Sequence, residues 1–205
     1  MKVIVFGASG RTGKLVVEKA LENGYNVTAF VRDANKLSIS HSNLTVIQGD
    51  GTKIEDVSNA IKEQDVVISC LGANNGLGKT TILHEMTKNI VQGMNENQVS
   101  KIIYVASAGI EKEIPGIMGK IVMKTLGNVL KDHRNAVKVI KENVPYYTIV
   151  RPMGLTEGPF TGTYREATAG IPPKARSISR ADVADFIIRA IKTEAYKNQS
   201  VSIAT

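Results

Sequence analysis

The sequence predicts an α/β fold in which a parallel β-sheet carries helices on both faces. Short apolar runs rich in β-branched residues alternate along the chain with segments of helical periodicity. That alternation is typical of parallel strands joined by crossover helices. The start of the chain adds a second observation, because the apolar run Lys2–Phe6 leads into the glycine-rich segment Gly7–Gly13 and then into a helical pattern. We therefore expect a single doubly wound domain over residues 1–205.

Seven strands and five helices are predicted in chain order. The strands are expected near residues 2–6, 26–31, 44–48, 65–71, 101–106, 146–150 and 200–204, the last at an edge of the sheet. The helices are expected near residues 15–21, 53–63, 80–97, 130–142 and 180–192. The last helix has the clearest beginning, because Ser179 can cap it and Asp182 follows three residues later.

Two stretches, at about 109–126 and 153–178, interrupt this alternation of strands and helices. The second is rich in glycine and proline. Both follow the carboxyl ends of predicted strands, which is where ligands bind in doubly wound sheets. Long connections in a compact domain are usually functional or disordered, so we interpret both stretches as loops of a substrate pocket and its lid.

Composition limits the class of protein. Of 205 residues, 42% are hydrophobic, and no apolar run approaches the roughly 20 residues of a membrane span. The chain enters a strand at once and has one cysteine, Cys70, so we expect no signal peptide, no disulfide and a cytoplasmic location. Cys70 lies in an apolar run and is expected to be a buried, inert thiol. The net charge of +7 comes from scattered basic residues, which argues against nucleic acid as a partner.

The glycine-rich segment indicates dinucleotide binding. Gly7, Gly10 and Gly13 stand between a strand and a helix with the spacing G-x-x-G-x-x-G. Glycine permits a tight turn and a close approach to a diphosphate, which the free amides of the helix N-terminus can then bind. The spacing differs from the G-x-G-x-x-G of standard dehydrogenases and favours the extended short-chain reductases.

The residues after the second strand bear on the choice of cofactor. An acidic residue there binds the ribose hydroxyl of NAD, whereas an arginine accepts the 2′-phosphate of NADP. This chain has both, as Arg32 and Asp33. Arg11 in the glycine segment adds a second guanidinium, so we predict NADP(H), with NAD(H) as the alternative. Asp33 could instead start the following turn.

Residues 73–80 form a second, weaker phosphate-type motif. They fit a relaxed P-loop pattern in which Ala73 replaces the first glycine and Lys79 precedes a threonine. The motif follows the fourth predicted strand, whereas P-loops normally follow the first. We therefore interpret it as a loop beside the cofactor and not as a nucleotide-hydrolysis site.

The histidines and tyrosines limit the chemistry. His41, His84 and His133 lie far apart without ligand spacing, so no metal site is expected. His133 follows the fifth strand, where a catalytic group could reach a nicotinamide, although a surface histidine is the alternative. None of the six tyrosines is followed by lysine four residues later. The Tyr-x-x-x-Lys mechanism of ordinary short-chain dehydrogenases is therefore not expected.

Taken together, these motifs resemble the atypical short-chain dehydrogenases/reductases of the NmrA-like NAD(P)-binding group, and within it the biliverdin IXβ reductases, also called flavin reductases. The resemblance covers nearly the whole chain. It is carried by Phe6–Gly13, Gly24–Asp33, Gly49-Asp50, Leu71-Gly72, Thr80-Thr81, Asn89–Val91, Ser107-Ala108 and Thr161–Tyr164.

The resemblance implies a role for each matched residue. The diphosphate would be bound by Gly7, Ser9, Gly10, Arg11, Thr12 and Gly13. Arg32 would meet the 2′-phosphate, Asp50 would flank the adenine, and Leu71 and Gly72 would border the nicotinamide ribose. Ser107 would lie beside the nicotinamide, with Pro152 and Met153 on the far side. The flavin reductases have histidine in place of Met153, which argues against tetrapyrrole reduction.

These observations predict an NAD(P)H-dependent oxidoreductase that reduces a flat conjugated acceptor such as a flavin or quinone. Ser107 and His133 are the candidate catalytic residues. Hydride transfer to such acceptors needs mainly a stacked geometry, and protons can come from solvent. The alternative is a protein that binds the cofactor as a redox sensor without turnover. We expect a small-molecule partner, no membrane association, and a monomer or homodimer.

Overall fold

In a computed structural model, which describes residues 1–72, 78 and 80–205, eight strands form one sheet. In chain order they are β1 (Lys2–Phe6), β2 (Asn26–Val31), β3 (Leu44–Gln48), β4 (Val66–Ser69), β5 (Lys101–Val105), β6 (Tyr146–Pro152), β8 (Arg165–Ala167) and β10 (Gln199–Ala204). Their order across the sheet is β3-β2-β1-β4-β5-β6-β10-β8, and β8 runs antiparallel to β10 while the other pairs are parallel. Two short strands, β7 (Gly154–Thr156) and β9 (Ser177–Ser179), pair separately in parallel.

Helices cover both faces of the large sheet. They are α1 (Arg11–Glu22), α2 (Ile54–Ile61), α3 (Ile82–Glu96), α4 (Gly116–Asn143) and α5 (Arg180–Lys192). Alternate residues of β1 show how the two faces are divided, since successive side chains of a strand point to opposite sides. Val3 and Val5 belong to the core beneath α1 and α5, whereas Ile4 and Phe6 belong to the core beneath α2, α3 and α4. The predicted doubly wound α/β fold is confirmed.

The direction of winding reverses between β1 and β4, which are neighbours in the sheet. From β1 the chain proceeds outward through β2 to β3, and then returns to β4 on the other side of β1. In open α/β sheets a crevice forms at this reversal, beyond the carboxyl ends of the strands, and ligands bind there. The glycine segment that follows β1 therefore lies at the expected ligand crevice.

The seven predicted strands are all present, but the position expected for the last one is wrong. Strand β10 lies inside the sheet, between β6 and β8, and β8 forms the edge. Strand β8 consists of Arg165, Glu166 and Ala167, so it offers no apolar pattern from which a strand could be predicted. Short, charged strands are common at sheet edges because they discourage pairing with another chain.

The two interrupted stretches contain more regular structure than predicted. The loop expected at 109–126 ends at Pro115, and helix α4 begins at Gly116, well before the predicted start near residue 130. The stretch 153–178 contains β7, β8 and the first two residues of β9. The predicted cap of α5 is confirmed, because the amide of Asp182 donates to Ser179 Oγ at 3.0 Å. Within the described ranges, no helix has the length and apolar character needed to cross a bilayer.

Candidate cofactor and substrate site

The glycine segment brings three parts of the backbone into close contact. Gly7 has a φ of +76°, and a Cβ at this position would lie 2.7 Å from the carbonyl oxygen of Cys70 at the end of β4. A Cβ at Gly13 would lie 2.1 Å from the carbonyl oxygen of Gly7. Any side chain at either position would force the backbone to move, so both glycines are required by packing. Gly13 is buried within α1 and is not among the described residues that line a cavity at this site.

The N-terminus of α1 opens toward the crevice with its amides available. Gly10 is the N-cap, no side chain of the described residues caps the helix, and the first turn holds no acidic residue. The first amides of a helix have no partner within it, and together with the helix dipole they favour an anion. The loop and helix therefore offer the free amides that the predicted diphosphate site requires.

A cavity of about 380 Å³ lies on one side of the glycine loop. It extends from the loop to the residues that follow β2, β3 and β4. Its lining includes seven of the predicted cofactor residues: Gly7, Ser9, Gly10, Arg32, Asp50, Leu71 and Gly72. The ends of neighbouring parallel strands thus bring distant parts of the sequence into one cavity, as predicted.

The side chains of Arg32 and Asp33 have different surroundings in the structure. The carboxylate of Asp33 accepts the amide of Asn35 at 3.0 Å and caps a short 3-10 turn, so the interpretation of Asp33 as the start of a turn is confirmed. Asp33 is absent from the described residues that line the smaller cavity, whereas Arg32 is present. Lys36, at the end of the same turn, also lines it and was not predicted. The only sequence feature that could have predicted this position of Lys36 is that it is a basic residue four positions after Arg32.

Asp50 presents an ionised carboxylate to the smaller cavity. Its Oδ1 accepts the amide of Thr52 at 2.9 Å and the hydroxyl of Thr52 at 2.8 Å. These hydrogen bonds from Thr52 lower the pKa of Asp50. Its position suits the predicted contact with adenine, whose amino group is a hydrogen-bond donor.

A larger cavity, of about 860 Å³, lies on the other side of the glycine loop. It shares Gly10, Cys70, Leu71 and Gly72 with the smaller one, so the two cavities adjoin at these residues. Its wall includes Ile114 from the segment before α4, and Val122 and Leu126 from α4 itself. The remaining predicted residues other than Gly13 lie here: Arg11, Thr12, Ser107, His133, Pro152 and Met153.

The two candidate catalytic residues lie in this wall. Ser107 Oγ donates to the carbonyl oxygen of Ala108 at 3.1 Å. His133 is only 5% exposed, and its Nδ1 shares a hydrogen bond with the Tyr104 hydroxyl at 2.9 Å. Burial lowers the pKa of His133 to about 4, against an opposing effect of the nearby Asp132 carboxylate. The imidazole is therefore neutral at pH 7, and the interpretation of His133 as a surface histidine is wrong.

The structure separates the two arginines that were expected to meet the same 2′-phosphate. Arg32 lines the smaller cavity, whereas Arg11 lines the larger one. The Nη1 of Arg11 lies 2.7 Å from Glu157 Oε1. Sequence reasoning placed both on one phosphate because it had no information on the direction in which Arg11 leaves the loop.

Cys70 is only partly buried and lines both cavities, so the expectation of a buried thiol is wrong. Desolvation nevertheless raises its pKa to about 12, which agrees with an inert thiol. In the described parts of the chain, no group of three or more histidine, cysteine or carboxylate side chains could hold a metal ion. The P-loop-like motif lies mostly outside the described residues, which exclude Ala73–Leu77 and Lys79.

Residues 7–194 match the NAD(P)H-binding family, and the chain therefore belongs to it. An uncharacterized chloroplast protein of Arabidopsis thaliana is 31% identical over 94% of this chain and 72% of its own length. Protein TIC 62 of Pisum sativum, also a chloroplast protein, is 27% identical over 80% of this chain. The match spans only 34% of the TIC 62 sequence, so most of that protein has no counterpart here.

Solved structures show the same fold. A short-chain dehydrogenase/reductase from Veillonella parvula, in complex with NADP, has a TM-score of 0.84 at 21% identity and covers 100% of this chain and 94% of its own. The anaerobilin reductase ChuY from Escherichia coli O157:H7 has a TM-score of 0.83 at 22% identity, over 100% of this chain and 97% of its own. At these identities the likeness establishes the Rossmann-type fold alone.

Proposed function

We propose that the protein is an NADPH-dependent reductase whose acceptor is a flat conjugated molecule such as a flavin or quinone. One observation carries the proposal: the cavity with cofactor-binding features adjoins a second cavity of about 860 Å³ and shares lining residues with it. That volume lies within the range of about 300–1,000 Å³ of small-molecule sites. Both cavities are lined by Leu71 and Gly72, where the nicotinamide is expected.

The smaller cavity suits the adenosine half of NADPH. Arg32 and Lys36 would bind the 2′-phosphate, since Asp33 is engaged by its own turn and does not compete. Guanidinium and ammonium groups form charge-assisted hydrogen bonds with phosphate. The amides at the start of α1 would hold the diphosphate, which directs the nicotinamide toward the larger cavity.

The larger cavity supports catalysis by positioning. When bound, NADPH would supply a hydride to the acceptor. The described lining contains no tyrosine and no carboxylate that could serve as a strong acid or base. Ser107 would orient the acceptor or the carboxamide by a hydrogen bond. Neutral His133, held at Nδ1 by Tyr104, would present its other ring nitrogen toward the acceptor, and protons would come from solvent.

A relative whose name states a reductase activity supports this class of reaction. Phenylcoumaran benzylic ether reductase TP7 of Nicotiana tabacum is 29% identical over 88% of this chain and 57% of its own length. The closer resemblance to the flavin reductases rests on the sequence motifs alone. Met153, which replaces their histidine, adds an apolar side chain to the lining of the larger cavity.

Turnover with a panel of acceptors tests the proposal. NADPH absorbance would be followed with riboflavin, FMN and soluble quinones, and we expect at least one acceptor to increase its loss. Ser107→Ala should lower turnover by up to about tenfold, which is the contribution of one neutral hydrogen bond. Tight NADPH binding without oxidation by any acceptor would favour the redox-sensing alternative.

A further inference from the structure

The wall of the larger cavity carries an excess of positive charge. Three arginines from separate segments line it: Arg11 at the start of α1, Arg176 just before β9, and Arg180 at the start of α5. None of the described lining residues is a carboxylate. The arginines would not strengthen the binding of an uncharged, apolar acceptor.

Glu157 is the only described carboxylate that pairs with these arginines, and it is shared. Its Oε1 lies 2.7 Å from Arg11 Nη1 and 2.7 Å from Arg180 Nη1. The Arg180 side chain is only 10% exposed, so solvent screens its charge poorly. Arg176 is exposed, and its side chain makes no hydrogen bond or ion pair with the part of the chain that the structure describes. One carboxylate among three guanidiniums leaves a net positive site.

We propose that this site binds an anionic group of the acceptor, a phosphate or carboxylate at the end of its flat ring system. The inference rests on the proposed function and defines the acceptor further. Guanidinium groups match both anions with paired hydrogen bonds. The ring would lie deeper, among Ile114, Val122 and Leu126, while the anion would remain at the arginines. FMN would therefore be preferred to riboflavin, which differs from it by the phosphate alone.

Two of the three arginines are unsuitable for a first test. Arg11 adjoins the cofactor diphosphate site, and Arg180 is nearly buried beside α1, so a change at either could disturb the cofactor or the fold. Arg176 and Glu157 avoid both difficulties, since Arg176 is exposed and the Glu157 side chain is 59% exposed. Lys174 is a matched control, because it is exposed on the same segment and is not among the described lining residues.

The experiment measures binding of FMN and of riboflavin to the NADP⁺-saturated protein by quenching of flavin fluorescence. Saturation with NADP⁺ keeps FMN from occupying the cofactor site. The wild type should bind FMN more tightly than riboflavin. Arg176→Gln should weaken FMN by about tenfold, the effect of one charge-assisted hydrogen bond, and leave riboflavin unchanged. Glu157→Gln should tighten FMN, since it frees two guanidiniums, and Lys174→Gln should change neither.

Equal binding of the two flavins by the wild type, binding of neither, or an equal loss of both in Arg176→Gln would overturn the inference. Steady-state oxidation of NADPH provides the second readout. A preference for FMN that depends on Arg176, found without any turnover, would retain the anion site and reject the reductase function. Turnover with riboflavin and FMN at equal efficiency would support the reductase function and reject the anion site.

Discussion

Adjacent residues Arg32 and Asp33 illustrate how much of the site depends on single side-chain directions. The sequence alone supports either NAD or NADP, because both residue types stand at the critical position. The structure assigns the Asp33 carboxylate to the amide of Asn35 and leaves Arg32 in the cavity with Lys36. That distinction is set by the turn after β2 and cannot be read from the residue types.

Replacing Arg32 with alanine should weaken NADPH binding by about tenfold and leave NADH nearly unchanged, since one charge-assisted hydrogen bond to the 2′-phosphate is lost. Equilibrium titration of both cofactors measures this. Asp33→Asn is the control and should alter neither affinity. Equal loss of NADH in Arg32→Ala, or a large gain of NADPH in Asp33→Asn, would show that Asp33 faces the ribose.

His133 should make the stability of the fold depend on pH. Its folded pKa of about 4 lies below the usual value of about 6.5, so the unfolded chain binds the proton more readily. The contribution of His133 to the free energy of unfolding should therefore be constant above pH 7 and fall as the pH drops from about 6.5 to 4, by up to about 3 kcal/mol. Urea unfolding of the wild type and His133→Gln, repeated across this range, measures the difference. A variant that loses as much stability as the wild type on acidification would contradict it.

At the scale of elements, a buried carboxylate joins two helices beside the site. Asp132 on α4 is 2% exposed, and its two oxygens accept the amides of Leu83 and His84 in the first turn of α3. It therefore acts as an N-cap supplied from another helix. Because Ile82 and Met86 of α3 line the smaller cavity, these hydrogen bonds also help to position one wall of the crevice.

Asp132→Ala should lower the free energy of unfolding by about 2–4 kcal/mol, since it leaves one buried and one partly buried amide without a partner. Lys131→Ala is the matched control, because Lys131 is the exposed neighbour on the same helix. This change should alter the free energy of unfolding by less than about 0.5 kcal/mol. Chemical denaturation of both variants gives the comparison. A loss below about 1 kcal/mol in Asp132→Ala would mean that other groups satisfy the start of α3.

Elements with strong periodicity could be predicted, and those without it could not. Helix α5 was predicted with its bounds because it has a cap and one continuous apolar face. The first half of α4 was missed because Gly116, Gly119 and Gly127 lower its helix propensity. Ile117 and Ile121 there are 76% and 51% exposed, so they gave no reliable apolar stripe.

At the scale of the whole molecule, parallel topology explains why so much of the site could be predicted. Strand ends gather at one edge of the sheet, so residues that follow β1, β2, β3 and β4 meet in the crevice whatever their distance in sequence. Side chains that do not directly follow one of these strand ends were not predicted. Arg176 and Arg180 follow β8 in the chain and line the larger cavity. Only the fold shows that this part of the chain lies beside the cavity.

The central claim is that the two joined cavities serve hydride transfer from NADPH to a bound acceptor. Single-turnover oxidation of NADPH carrying deuterium at either C4 position, with FMN as acceptor, tests it most directly. One of the two labelled forms, and not the other, should be oxidised more slowly than unlabelled NADPH, because the cavities would hold one face of the nicotinamide toward the acceptor. Oxidation that FMN does not accelerate, or that neither label slows, would contradict it.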